Sequence, residues 1–154
     1  VLKAAGASPL IVIEPNTTRA AVALAVGADR TVTPDELATS RATLLPQGAD
    51  IVVDAVGSQL AACIETAALG GRIILFGMNS NARPPVHQVE ITEKGLTVHG
   101  TYITNFTFPA AIRLIESGVL DLAPMVSEVL PLERTAEGIE HLRTGQATKV
   151  VITP

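Results

Sequence analysis

Leu10-Ile11-Val12-Ile13-Glu14-Pro15-Asn16-Thr17 is the stretch whose reading decides the fold. Four apolar residues run without a break and end on an acid. Unbroken rather than alternating apolarity marks a strand buried on both faces, as in the middle of a parallel sheet. Pro15 biases Glu14 toward an extended backbone. Asn16 or Thr17 then caps a helix that carries Arg19, Val22, Ala23 and Val26 and stops at Gly27.

The same order of strand, polar turn and helix recurs along the chain. Ile51-Val52-Val53 ends on Asp54, and Ile73-Ile74-Leu75-Phe76 ends on Gly77. Between them Leu60, Cys63, Ile64 and Ala67 share one helix face, and Gly70-Gly71 is the expected stop. A weaker strand is expected at residues 31–33. Residues 96–99 alternate apolar and polar, which suits a last strand at or near a sheet edge. A helix follows with Phe108, Ala111, Ile112 and Ile115 on one face, Pro109 in its first turn and Gly118 past its end. Beyond Leu120 the pattern changes. Residues 126–132 read as extended, Ala136, Ile139 and Leu142 as a short helix, and residues 149–152 as a closing strand. Alternating strands and helices imply right-handed crossovers and a parallel sheet.

Composition agrees with this reading. The chain has 154 residues, of which 47% are apolar, 17% charged and 3% aromatic, with no Trp. One core of Val, Ile, Leu and Ala follows, and a disordered chain is excluded. The net charge of −4 and the absence of a basic run argue against nucleic acid as a partner. No apolar run nears the roughly 20 residues of a membrane helix. Residues 1–6 do not have the form of a signal peptide. The lone Cys63 forms no internal disulfide and no CxxC pattern occurs, so a reducing, cytoplasmic setting is expected.

The chemistry is expected at the carboxyl ends of the strands, where doubly wound sheets bind ligands. A carboxylate after the second strand of such a sheet accepts hydrogen bonds from adenosine ribose hydroxyls. It also repels a 2′-phosphate, so Glu14 favours NAD over NADP. Arg19, one turn on, can cover the adenine or ribose. A second role is open to both: Glu14 helping to cap a helix, with Arg19 solvated. After Asp54 the small residues Ala55, Val56 and Gly57 let a flat ligand approach the backbone, or they form an ordinary turn with Asp54 near a helix start. Phe76, Gly77 and Met78 end a third strand in the same way. Three such ends together favour a ligand crevice.

These segments resemble the zinc-type medium-chain dehydrogenases, which include alcohol, sorbitol and threonine dehydrogenases. The resemblance lies in the order Glu14; Arg19, Ala23 and Gly27-Ala28-Asp29; Gly48-Ala49-Asp50-Ile51-Val52-Val53-Asp54-Ala55-Val56-Gly57; and Gly70-Gly71-Arg72-Ile73-Ile74-Leu75-Phe76-Gly77. It continues through Leu96-Thr97-Val98-His99-Gly100-Thr101-Tyr102, Gly118, Leu132 and Lys149-Val150-Val151-Ile152, matching the family's carboxyl-terminal half. The implied fold is an α/β, incomplete doubly wound (Rossmann) parallel sheet over residues 1–120. Residues 121–154 would form a tail returning to the catalytic domain. The resemblance further implies that Glu14 holds the adenosine ribose with Arg19 beside it, and that Ala55, Val56 and Gly57 line the adenosine side. Phe76, Gly77 and Met78 would face the nicotinamide ribose and carboxamide, with Thr101 near the same ring. Lys149 would reach the pyrophosphate, or be a solvated lysine before a strand. Glu14 is one methylene longer than the family's usual Asp.

The implied activity is hydride transfer between NAD and a small alcohol or ketone in an intact parent. Zinc would act there as Lewis acid on ligands outside these residues. Alternatives are a zinc-independent quinone reductase-like enzyme and a non-catalytic nucleotide-binding or assembly module. A methyltransferase also places an acid after its second strand, but the tail around Lys149 argues against it. The resemblance implies a homo-oligomer, dimer or tetramer, with residues 79–94, the longest irregular stretch, either at an interface or a surface loop. His87, His99 and His141 are scattered: His99 is expected half-buried on an edge strand and His141 on a helix surface. Cys63 is expected to pack on a helix face.

No G-x-G-x-x-G occurs, and residues 2–7 look like the end of the helix that would follow such a loop. In the common 3-2-1-4-5-6 strand order the strand before that loop is central. The expectation is therefore a fragment, inactive alone, with unpaired backbone groups on two half-sheets unless another strand or chain fills the place.

Overall fold

A computed structural model describes residues 1–102 and 106–154. The element order is β1 (Ile11–Ile13), α1 (Thr17–Ala25), β2 (Arg30–Val32), α2 (Pro34–Leu44), β3 (Ala49–Asp54), α3 (Leu60–Thr66), β4 (Ala67–Leu75), α4 (Gln88–Lys94), β5 (Thr97–Gly100), α5 (Phe108–Glu116), β6 (Glu128–Pro131), α6 (Thr135–Thr144) and β7 (Val150–Thr153). Every strand pair is parallel: β1 with β2, β3 with β4, β4 with β5, and β6 with β7. The chain divides into two compact units, Val1–Thr39 with Phe106–Pro154, and Ser40–Asn105.

In the first unit, the Asn16 side chain caps α1 by accepting the Arg19 N–H at 3.0 Å. Residues 2–7 form turns that include a bond from the Ala5 N–H to the Val1 carbonyl at 2.9 Å, as in a last helical turn. Asp29 ties that turn to β1, because its carboxylate accepts from Lys3 Nζ at 2.6 Å and from the Leu10 N–H at 2.7 Å. The helix α2 begins with a capping box that the strand-centred reading passed over. The Thr33 N–H donates to Glu36 Oε2 at 2.7 Å, and the Glu36 N–H donates back to Thr33 Oγ1 at 3.2 Å. Helix α6 is the crossover between β6 and β7. It lies close because residue 138 is glycine: a Cβ there would sit 2.9 Å from Val150 Cγ1 and 3.2 Å from Leu130 Cδ1.

The second unit is the sheet β3-β4-β5 with α3 and α4 packed on it. Cys63, Ile64, Ala67 and Ile73 are its buried centre, closed by Val52, Leu60, Leu75, Ile91 and Leu96. Ile64 and Ile73 are fully buried, and each contributes on the order of 1.5–3 kcal/mol through the area it removes from water.

Several expectations are corrected. Helix α3 ends at Thr66 rather than at Gly70-Gly71, and β4 begins at Ala67. Lys94 Nζ donates to the carbonyls of Ile64, Glu65 and Ala67 at 2.7, 3.1 and 3.1 Å. A cation on the last carbonyls stabilises a helix end there. Residues 79–94 are not irregular throughout, because 88–94 form α4, which seats Ile91 on the core and ends at Gly95. The strands β1 and β3 are less buried than unbroken apolarity suggested, with Ile13, Ile51 and Val53 exposed. Among the described residues β1 pairs with β2 alone and β3 with β4 alone, so no second strand of this chain covers their other edges. His99 is exposed with the rest of β5, which among the described residues pairs only with β4. His141 is half-buried rather than on the open surface of α6, with Nδ1 2.9 Å from Glu128 Oε1.

Candidate functional site

The end of β1 is built by its own helix start. The Glu14 N–H donates to the Val32 carbonyl at 2.9 Å, which continues the ladder to β2. The Glu14 carboxylate then turns back on α1: Oε1 accepts the Asn16 N–H at 2.8 Å and lies 3.2 Å from Arg19 Nε. Glu14 therefore does take part in the helix start, and Arg19 is its ion-pair partner. Both contacts end on Oε1, and among the described residues Oε2 carries no hydrogen bond. The side chain is 21% exposed, enough to meet a hydroxyl from solvent or ligand. Lys149, in the same unit, is exposed just before β7, and its carbonyl accepts the Ser127 N–H at 2.8 Å.

In the second unit the ends of β3 and β4 are bound together. Asp54 is the one charged side chain that is buried among the described residues, at 3% exposure. Its Oδ1 accepts the N–H groups of Val56 at 2.9 Å and Gly57 at 2.7 Å, and its Oδ2 accepts that of Gln59 at 2.9 Å. Three donors offset the cost of burying a carboxylate. The Asp54 carbonyl takes two more N–H groups from the end of β4, Phe76 at 3.0 Å and Gly77 at 2.8 Å. The alternative role foreseen for Asp54, near a helix start, is thus met at Gln59, and it is only part of what the residue does.

These bonds hold the loops but leave their apolar side chains open. Val56 is 61% exposed, Phe76 66% and Met78 72%. Thr101 is fixed to the same strand end, its N–H and Oγ1 both donating to the Leu75 carbonyl at 3.1 and 3.0 Å. The structure therefore brings Ala55, Val56, Gly57, Phe76, Gly77, Met78 and Thr101 to one end of one sheet, and pairs Glu14 with Arg19 in the other unit. The sequence reading did not single out Asp54 as a site residue. The signal was present in an acid followed by the small residues Ala55, Val56 and Gly57, but its partners at Phe76 and Gly77 could not be read from spacing.

Cys63 is buried on α3 in the core of this unit. Burial, and secondarily the Asp54 charge, pushes its thiol up from 9.0 to about 11. It is a packing residue and not a nucleophile. Among the described residues no group of three or more His, Cys, Asp or Glu side chains is placed to hold a metal. The described His, Cys, Asp and Glu side chains do not fit a zinc site. No helix of the described residues is long and apolar enough to cross a membrane.

Parallel strands joined by helices define a Rossmann-type α/β fold. The family model for zinc-binding dehydrogenases matches residues 1–117. The chain belongs to the zinc-binding dehydrogenase family. The L-threonine 3-dehydrogenase of Bacillus subtilis (strain 168) is 35% identical over 167 residues, across 100% of this chain and 46% of the relative. The chain thus spans about half the length of the curated relatives it matches. Among solved structures, a short-chain alcohol dehydrogenase from E. coli CFT073 complexed with NADH superposes with a TM-score of 0.91 at 24% identity. It covers 100% of this chain and 47% of that one. A zinc-binding dehydrogenase from Sinorhizobium meliloti 1021 bound to NADP gives 0.88 at 24% identity, over 99% and 47%. Both show the fold.

Proposed function

We propose that this chain is the cofactor-binding part of a zinc-type alcohol or polyol dehydrogenase that moves hydride between NAD and a small alcohol or ketone. Residues 1–120 form the partial dinucleotide-binding domain and 121–154 a tail returning to the catalytic domain. Ala55, Val56 and Gly57 line the adenosine side. Phe76, Gly77 and Met78 face the nicotinamide end with Thr101 beside them, and Lys149 reaches the pyrophosphate. The bound cofactor supplies the hydride chemistry, and the residues here bind and orient it. Zinc and its ligands belong to the rest of the parent. The working enzyme is a cytoplasmic homo-oligomer, with residues 79–94 either at its interface or on its surface.

The observation that carries the reading is Glu14. Its carboxylate is anchored through Oε1 at the end of β1, and Oε2 carries no other bond among the described residues. A fixed carboxylate there accepts a ribose hydroxyl and repels a 2′-phosphate. One homologous fold is solved with NADH and another with NADP, so the cofactor preference rests on this residue. The test is a comparison of kcat/KM for NAD and NADP in the intact parent, wild type against Glu14→Gln. Wild type should prefer NAD, and the variant should lose about tenfold of that preference, the worth of one charge-assisted hydrogen bond. A wild type that prefers NADP would overturn the role of Glu14. Turnover by the isolated 154-residue chain would overturn the division of labour.

A further inference from the structure

The loops after β3 and β4 are separate in sequence, yet one residue holds both. A residue that only supported the start of α3 would need its bond to the Gln59 N–H and nothing more. Asp54 also binds Val56 and Gly57 inside the first loop through its carboxylate, and Phe76 and Gly77 in the second loop through its carbonyl. The two loops also touch directly. A Cβ on Gly57 would lie 2.6 Å from the Gly77 carbonyl oxygen, and one on Gly77 would lie 2.3 Å from the Gly57 nitrogen. A shift of either loop therefore moves the other.

We propose that Asp54 is a positioning residue for the dinucleotide. Its buried carboxylate, acting through the Val56 and Gly57 N–H groups, sets the adenosine-side loop against the nicotinamide-side loop so that both present one surface to the cofactor. The proposal rests on the cofactor reading above. The carboxylate touches no cofactor atom in this role. Its effect is the relative placement of Val56 and Phe76, whose side chains stay exposed while their backbones are tied down, and with them of the exposed Met78. Misplacement of binding groups by about 1 Å is enough to cost up to roughly 100-fold.

The test uses the full-length protein that carries this chain. Asp54→Asn keeps the shape but puts an NH2 group against at least one of three N–H donors. In the folded variant the KM for NAD should rise between about 10- and 100-fold, with the KM for the alcohol changed less than about twofold. Ile64→Val is the control for stability alone: it lies in the core, and its KM for NAD should match wild type. An unchanged KM for NAD in folded Asp54→Asn overturns the proposal, and so does an equal rise in Ile64→Val. Amide hydrogen exchange on the wild type gives a second reading that does not depend on a variant folding. The Val56, Gly57, Phe76 and Gly77 amides should be protected together and gain protection together on adding NADH. Protection confined to one loop overturns the proposal. A wild type that binds neither NADH nor NADPH overturns the cofactor reading itself, an outcome separate from binding that Asp54→Asn leaves intact.

Discussion

Gly57 and Gly77 meet backbone to backbone: a Cβ built on Gly77 would stand 2.3 Å from the Gly57 nitrogen and 2.4 Å from the Val56 carbonyl carbon. Gly57 also has φ +81°, in the left-handed region. Alanine at position 57 meets both obstacles. The positive φ alone costs about 1–3 kcal/mol, and the clash is with main chain that cannot rotate away. Gly57→Ala and Gly77→Ala should each lower the midpoint of denaturant unfolding in the full-length protein. Each should also weaken NADH binding, read by titration at a temperature where the variant is folded. Wild-type stability and affinity in both variants would show that the two loops are not in contact.

The capping box at α2 gives a prediction independent of any cofactor. Thr33→Ala removes the acceptor for the Glu36 N–H and should cost about 1 kcal/mol. Thr33→Ser keeps the hydroxyl and should cost much less. Urea unfolding of the three proteins checks this, and equal midpoints for the alanine and serine variants would refute the reciprocal bonds.

Stability should fall at both ends of the pH range, for opposite reasons. The Cys63 thiol is raised from 9.0 to about 11, so its contribution is complete below pH 9 and is lost as the pH rises through about 11. Thiol labelling of native protein near pH 8 should be slow and should accelerate on unfolding. Fast labelling without unfolding would contradict the burial. At the acid end, hydrogen bonds from the Lys3 ammonium and then the Leu10 N–H hold Asp29 below its usual 3.8. That contribution is present above the unfolded value and is lost as the pH falls through the lower folded one. Asp29→Asn should flatten the acid limb of a plot of stability against pH, while leaving the alkaline limb in place.

Local physics accounts for what could be read without coordinates. The unbroken runs before Glu14 and Asp54, the Asn16 cap, Pro109 in the first turn of α5 and Gly118 after it are all decided by neighbours within a few residues. They placed the parallel α/β fold, the acid at the end of β1 and the tail of β6, α6 and β7. The capping box at Thr33 and Glu36 was equally legible.

The remainder belongs to tertiary structure. The end of α3 at Thr66 is held by Lys94, which reaches back to its last carbonyls, and α4 seats its Ile91 and the following Leu96 on the core. His141 is drawn onto Glu128 by the crossover of α6. Asp54 shows the division most clearly. That an acid ends β3 is a matter of sequence. Its carboxylate reaches N–H groups two to five residues on, but that its carbonyl holds the other loop depends on β4 lying beside β3, Asp54 opposite Leu75. Spacing along a chain carries no information about which N–H groups a strand pairing will bring within 3 Å of a carbonyl, and it is that pairing which ties the two loops together.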